Sequence, residues 1–381
     1  LKRKYKILFS FGTRPEAIKL APVIKELQRY PHRFQVVVVV TAQHREMLDQ
    51  VLDIFDIVPD YDLQVMAKNQ SLSDVVIKIL TRLEPVLRKE NPDLVLVQGD
   101  ASSAFASALA AYYQRIPIGH IEAGLRTYDK YAPFPEEVNR RFISTIADIH
   151  FAPTRWALKN LLAEGVEKKR VYVSGNTVID ALRSILRKKK RLKSEYQNCR
   201  MLLVTLHRRE SFGPPLKGIC QALLTIVQRH PEVVLVLPVH PNPGVRKTVF
   251  SVLGGEKRVR LIAPVKYPEF VNLMKQAYLI LTDSGGIQEE APTLGKPVLV
   301  LRGKTERPEA IKYGTALLVG TDPEDIVRVT ERMLNSERLY RRMMRKCDVF
   351  GDGRAAVRIR QILTGWLASV DSGCNSLKLC S

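Results

Sequence analysis

The chain is expected to fold as an α/β protein of two Rossmann-like, doubly wound domains that face a cleft. Three observations lead there. At 381 residues it is about twice the usual size of one domain, roughly 100–200 residues. Short Val/Ile/Leu-rich runs without polar alternation recur from end to end, the pattern of parallel strands buried on both faces. Helical patterns separate those runs, and strand–helix alternation of this kind builds parallel sheets with helices on either side. In such sheets ligands sit beyond the carboxyl ends of the strands, so the residues that follow each run carry the functional reading.

In the first half the strand candidates are Tyr5–Phe11, Gln35–Thr41, Leu94–Gln98, Pro117–Ile121, Ile149–Ala152 and Val171–Ser174. Gly12-Thr13-Arg14-Pro15-Glu16-Ala17-Ile18-Lys19 follows the first. Pro15 suits the first turn of a helix, where a missing N–H costs nothing. Arg14 and Lys19 then lie near a helix start, with Arg14 placed to reach a phosphate. Gly99-Asp100 follows the third strand; Asp100 reads either as a helix cap or as an acid at the cleft edge. His120-Ile121-Glu122-Ala123-Gly124 closes the fourth, and Pro133-Phe134-Pro135-Glu136-Glu137 opens the next helix. Glu136 and Glu137 could simply favour the helix dipole. Alternatively Asp100, Glu122 and Glu136 converge as acid/base groups, since clustered carboxylates push their pKa values apart.

The second half offers Met201–Leu206, Val233–Val239, Val259–Ile262, Leu279–Thr282, Pro297–Leu301 and Ala316–Val319. His207-Arg208-Arg209-Glu210 follows the first of these, and His240 follows the second. A His and two Arg at a strand end suit an anion. Neither His has a partner at metal-ligand spacing, so no metal is expected. Asp283-Ser284-Gly285-Gly286 joins a strand to a helix and is expected to turn the chain against a diphosphate, whose oxygens the free N–H groups of the helix start would bind. Glu289 and Glu290 would repel a phosphate at close range, so one of them is better used on ribose hydroxyls. Arg307, after the following strand, adds a cation near the same anion. The glycines form neither a GxGxxG nor a P-loop pattern, which argues against nicotinamide and ATP-hydrolysis readings.

The domain break is expected near 174, with a basic stretch, Arg187-Lys188-Lys189-Lys190-Arg191, reading as a solvated helix end. Net charge is +21. Without an aromatic-interleaved basic motif, that charge does not make a nucleic-acid binder. Five cysteines, an odd number without a CxxC pair, argue against a disulfide framework and a zinc site. No apolar run reaches the roughly 18 residues of a membrane span. The N-terminal segment lacks a secretory cleavage site, and a cytoplasmic protein is expected.

The ordered segments GTRPEAIKLAP (12–22), TAQHREMLDQ (41–50), HIEAGLRT (120–127), PFPEEVNR (133–140), GNTVIDAL (175–182), HRRE (207–210), TDSGGIQEEAPTLGKPVLVLR (282–302), TERPE (305–309) and GDGRAAVRI (351–359) together resemble the non-hydrolysing UDP-N-acetylglucosamine 2-epimerases. The resemblance covers about residues 5–366. It implies a pair of domains like those of the B-type glycosyltransferases, 1–174 with 357–371 and 175–356, the last helix crossing back onto the first domain; 372–381 is expected to be a disordered tail.

The reaction implied is inversion at carbon 2 of UDP-GlcNAc to give UDP-ManNAc, through elimination of UDP to 2-acetamidoglucal and re-addition, without a cofactor. The resemblance places Asp100, Glu122, Glu136 and His207 in catalysis, and Arg14 and Lys19 on the substrate from the first-domain side of the cleft. It places Arg208, His240, Ser284, Gly285, Gly286, Glu290 and Arg307 on the substrate, and Phe270 against the uracil. It also implies a homodimer, and a candidate activator site for a second UDP-GlcNAc at Gln43, Arg208, His240 and Glu136. There Glu46 and Asn69 replace the Gln and Arg common in the family, which should weaken binding of a dianion. Other departures are Ala101-Ser102-Ser103 for Thr residues, Ser211 after HRRE, and Asp348-Val349-Phe350 before GDG; none removes a proposed acid, base or phosphate ligand. A B-type glycosyltransferase would leave the Asp100, Glu122 and Glu136 cluster unexplained. A hydrolysing epimerase usually carries a fused kinase, for which this chain has no room.

Overall fold

The computed structural model describes residues 3–41, 45–67, 70–188, 196, 199–206, 208 and 213–377. The chain divides into two compact units, Leu1–Arg183 with Phe350–Ser381, and Ser184–Val349.

The first unit runs β1 (Tyr5–Phe11), α1 (Arg14–Gln28), β2 (Phe34–Val40), α2 (Arg45–Ile54), β3 (Tyr61–Asp62), α3 (Leu72–Glu90), β4 (Leu94–Gln98), α4 (Ser102–Tyr113), β5 (Ile118–Ile121), α5 (Glu136–Ile146), β6 (Ile149–Ala152), α6 (Arg155–Ala163), β7 (Val171–Val173) and α7 (Thr177–Arg187). Its seven strands lie in the order β3-β2-β1-β4-β5-β6-β7, every pairing parallel. Ile7, Leu8, Phe9, Val95, Leu96 and Val97 are wholly buried, as a sheet covered on both faces requires. The order reverses between β1 and β4. This is the switch point at whose carboxyl edge doubly wound sheets bind ligands.

The second unit repeats the plan with β8 (Arg200–Thr205), α8 (Pro214–Arg229), β9 (Val233–Pro238), α9 (Pro243–Leu253), β10 (Val259–Ile262), α10 (Tyr267–Gln276), β11 (Leu279–Thr282), α11 (Gly285–Thr293), β12 (Val298–Val300), α12 (Pro308–Lys312), β13 (Ala316–Leu318), α13 (Pro323–Asn335) and α14 (Glu337–Met343). Its six parallel strands lie in the order β10-β9-β8-β11-β12-β13. The switch point falls between β8 and β11.

The chain returns to the first unit through α15 (Ala355–Leu377), which packs on α1. Arg360 Nε donates to Glu26 Oε1 at 2.8 Å and its guanidinium stands over the Tyr30 ring. Near the other end Tyr5 donates its hydroxyl hydrogen to Asp371 at 2.8 Å. The expected back-crossing of the last helix is therefore present.

Three details differ from expectation. The units divide at 183/184 and 349/350, not at 174/175 and 356/357. The reason is that 176–180 is tied to the returning chain: Asn176 N donates to Phe350 O at 2.6 Å, and Asp180 accepts from the backbone of Ala355 and Ala356. The helix α15 continues to Leu377, through the first part of the stretch expected to be a tail. Strand β3, absent from the sequence reading, has two residues, too short to show a period. The basic run begins at the end of α7, and its residues 189–191 lie outside the described residues. No described helix is long and apolar enough to cross a membrane.

Candidate active site

In the first unit, the loop after β1 is fixed from below. Thr13 caps α1 and Glu16 answers it in a capping box, with Pro15 in the first turn. The Glu16 carboxylate, 2% exposed, accepts from Gly12 N at 3.1 Å, from Thr13 N at 2.8 Å and from the Ser103 hydroxyl at 2.9 and 2.8 Å. It thus ties the β1–α1 loop to the start of α4 across the switch point. Burial pushes its pKa up against those bonds. Arg14 is the first residue of α1.

One turn into α1 from Glu16, Lys19 donates to both oxygens of Glu122, at 2.7 and 2.5 Å. Both side chains are nearly sealed from solvent. Gln98, the last residue of β4, also donates to Glu122. Glu122 has φ of 64°, the left-handed region that costs a residue with a Cβ about 1–3 kcal/mol and that collects at functional sites.

Asp100 does not cap a helix. The N-cap of α4 is Ala101, without a side-chain bond. Asp100 instead pairs with Arg140 of α5, and Asn139 donates to its backbone carbonyl at 3.0 Å. Glu136 begins α5, one turn before Arg140. Its neighbour Glu137 is wholly buried and spends its carboxylate on the backbone N–H groups of Thr127 and Tyr128, at 3.0 and 3.1 Å.

Behind these acids His120 and His150 sit opposite each other on β5 and β6, both wholly buried. The carbonyl of Gly99 can only accept, so His120 Nε2 carries the hydrogen of their 2.7 Å bond. Burial lowers the His120 pKa to about 4 and that of His150 to about 3, so both rings are neutral near pH 7.

In the second unit, α11 starts at the switch point. Ser284 is its N-cap, without a side-chain bond, and Gly285 and Gly286 are its first two residues. Neither glycine has positive φ, which corrects the expectation that they turn the chain. They admit neighbours instead. A Cβ on Gly285 would stand 2.6 Å from Arg307 Cζ and 3.0 Å from Glu306 Oε1, so the Arg307 guanidinium lies against the backbone that opens the helix. Arg307 donates through Nε to Glu289 at 2.6 Å and through Nη1 to Glu306 at 2.5 Å. Glu306 also receives Arg302 Nη1 at 2.8 Å and Arg208 Nη2 at 3.4 Å. Arg208 N donates to the buried Asp283 at 2.9 Å.

Glu290 accepts the hydroxyl hydrogen of Tyr267 at 2.5 Å, joining α11 to the first residue of α10. Phe270 lies one turn along α10, half-buried. His240 follows β9, and its Nδ1 accepts from Asn242 N at 3.2 Å.

The expected residues therefore gather in two places. Lys19 and Glu122 touch, and Asp100 pairs with Arg140 of α5, the helix that Glu136 begins. In the second unit Gly285, Arg307 and Arg208 share one cluster through Glu306, and Ser284 is the N-cap of the helix that Gly285 opens. His207, Gln43 and Asn69 lie outside the described residues; Glu46 falls in α2. The sequence reading missed Gln98, Arg140, Glu16, Tyr267 and Glu306 as partners of these groups. Arg140 had a signal, the four-residue step from Glu136 that puts both on one helix face. Among the described residues no cluster of three His, Cys, Asp or Glu side chains is placed to hold a metal.

Two parallel sheets of Rossmann order, each with its polar residues at the switch point, make this a two-domain α/β protein of the B-type glycosyltransferase architecture. Comparison with known proteins narrows the class. The family model described as UDP-N-acetylglucosamine 2-epimerase matches residues 25–364. The UDP-N-acetylglucosamine 2-epimerase of Escherichia coli K12 is 52% identical over 369 residues, covering 94% of this chain and 98% of the relative. The putative one of Thermotoga maritima is 50% identical over 360 residues, covering 93% and 95%. A crystal structure of UDP-GlcNAc 2-epimerase from Neisseria meningitidis bound to UDP-GlcNAc superposes with a TM-score of 0.92 at 47% identity, covering 94% of this chain and all of that one. The chain belongs to the UDP-N-acetylglucosamine 2-epimerase family and is an enzyme, an isomerase.

Proposed function

We propose that the chain interconverts UDP-GlcNAc and UDP-ManNAc by inverting carbon 2 of the sugar. The observation that carries the reading is the Arg307 guanidinium laid against Gly285 at the opening of α11. Helix-start amides and a fixed guanidinium suit a diphosphate that must be held while it is a leaving group. The match to a relative solved with UDP-GlcNAc supports the choice of nucleotide.

The carbon-2 proton has no adjacent carbonyl, so removing and returning it directly is too costly. The proposed route is elimination. A base takes the carbon-2 proton, that electron pair forms the carbon-1 to carbon-2 double bond, and UDP departs with the electrons of the glycosidic C–O bond. Re-addition of UDP to the 2-acetamidoglucal, with protonation of carbon 2 from the opposite face, completes the inversion. Asp100, Glu122, Glu136 and His207 are the proposed acid/base groups. Lys19 holds the Glu122 carboxylate and Arg140 holds Asp100, so each acid has a fixed direction. Ser284, Gly285, Gly286, Arg14, Arg208, His240 and Arg307 take the diphosphate and sugar, Glu290 the ribose hydroxyls and Phe270 the uracil.

Incubation of UDP-GlcNAc with the enzyme in heavy water tests the route. Deuterium is expected at carbon 2 of UDP-ManNAc; product without label, or no UDP-ManNAc, overturns it.

A homodimer goes with this reading. The packed helices α3, α4 and α5 expose Ile77, Tyr112, Tyr113 and Phe142, large apolar side chains suited to contact with a second copy. Light scattering should give twice the 43.2 kDa chain mass, and the I77D/F142D variant should give the monomer. The proposed cellular role is to supply ManNAc-type sugars for cell-surface polysaccharide from the cytoplasm. Deleting the gene should remove them from the polysaccharide.

A further inference from the structure

The arginines of the second unit do not stand alone. Three of them, Arg208, Arg302 and Arg307, reach one carboxylate, Glu306. They come from three segments: Arg208 is the third residue after β8, Arg302 the second after β12, and Arg307 the residue before α12. The Glu306 side chain is 2% exposed, and those of Arg302 and Arg307 are 3% and 5% exposed. Like-charged guanidinium groups repel, and without a shared counter-ion three of them would not hold neighbouring positions in a buried site. A carboxylate offers two oxygens and about four lone-pair directions, enough for three donors at once. The same Oε1 that takes Arg307 stands 3.0 Å from the Cβ position that Gly285 leaves open. Glu306 therefore sits beneath the start of α11 and sets where the guanidinium groups meet it.

We propose that Glu306 is a positioning residue for the diphosphate. It acts through Arg307 and Arg208, fixing their guanidinium groups at the α11 N-terminus before the nucleotide arrives. This rests on the reading of that terminus as the UDP site. Pre-organised donors avoid reorganisation when charge develops on a leaving group, so Glu306 should matter for the phosphates and not for the nucleoside. A carboxylate that merely held the fold would not make that distinction.

The test compares UDP with uridine, by calorimetry on the full chain. In Glu306→Gln the shape is kept, one oxygen becomes an NH2 group facing guanidinium donors, and the charge is lost. UDP affinity should fall at least tenfold, with uridine affinity within twofold of wild type and KM for UDP-GlcNAc raised. Glu306→Asp keeps the charge but, one methylene shorter, cannot reach all three arginines; its UDP affinity should fall by less, again with uridine spared. It serves as the measurement if the Gln variant does not fold. UDP and uridine weakening together, or wild-type UDP affinity in both variants, overturns the proposal. Wild-type protein that binds no UDP would instead overturn the reading of the site.

Discussion

Replacing Gly285 by Ala tests the packing that the site is built on. The new Cβ would stand 2.6 Å from Arg307 Cζ. Ordinary carbon contacts are about 3.5–4.0 Å, so the guanidinium has to retreat by about 1 Å. That retreat strains its bonds to Glu289 at 2.6 Å and Glu306 at 2.5 Å. A hydrogen bond to a charged group contributes about 1.5–3 kcal/mol; losing about half of each gives roughly 1.5–3 kcal/mol. Ala is the better helix former by up to about 1 kcal/mol. The net expectation is a loss of about 1–2 kcal/mol. Gly286→Ala is the control. Its Cβ would meet Glu290 Oε2 at 3.8 Å, an ordinary contact, so helix propensity decides and the change should be neutral or stabilising by up to about 1 kcal/mol. Both tryptophans, Trp156 and Trp366, lie in the first unit, so their fluorescence is the wrong probe. Hydrogen exchange of the α11 amides in ligand-free protein reads the local opening energy directly. In an Arg307→Ala background only Glu306 Oε1, 3.0 Å from the Cβ position, is left to give way, so most of the Gly285→Ala penalty should vanish, a coupling of at least about 1 kcal/mol in the cycle. A Gly285→Ala protein as stable as the Gly286→Ala control, or a penalty undiminished without Arg307, would show that the glycine is not there for the arginine.

Lys19→Met should cost about 3–5 kcal/mol of stability by leaving Glu122 buried without its cation, and Lys19→Met/Glu122→Gln should recover most of that in urea melts. Stability should also fall as pH drops below about 6.5. The unfolded chain then takes up protons at His120 and His150, while the folded chain refuses them until about 4 and about 3. Since the unfolded state binds more protons, falling pH favours it; for His120 the loss between 6.5 and 4 is about 3 kcal/mol, and His120→Asn should flatten the melting-temperature profile over that window. Asp180→Ala removes the acceptor for Ala355 N and Ala356 N and should lower stability by about 1–2 kcal/mol, with proteolysis of α15 as the readout; an unchanged cleavage rate would count against that capping role.

The sequence announces the layout of this molecule because buried parallel strands leave uninterrupted apolar runs, as at residues 36–40 and 94–97, and because site residues follow them closely. Pro15 and the Thr13/Glu16 pair declare the start of α1 through local capping chemistry alone. What sequence did not disclose is long-range pairing. Arg140 and Asp100 are 40 residues apart, and Arg208 and Glu306 are 98 apart; no periodicity links such positions. Charge type was also misleading at close quarters. Glu289 and Glu290, adjacent acids in one helix, diverge to Arg307 and Tyr267, because successive helical side chains point about 100° apart. Gly285 and Gly286 read as a turn, since a glycine pair has the same spelling whether it supplies positive φ or a vacant Cβ position.

The back-crossing of α15 sets an order of assembly during synthesis. Arg3 bonds to Asp371 across 368 positions of chain, Glu26 waits for Arg360, and Asp180 waits for Ala355 and Ala356. The second unit is continuous, so all of it has left the ribosome before α15 does. The unit translated first is thus the last to be finished. Until then the face of α1 that carries Glu26, with Tyr30 just past the helix end, is uncovered, and it is there that a nascent chain of this protein would be open to a chaperone.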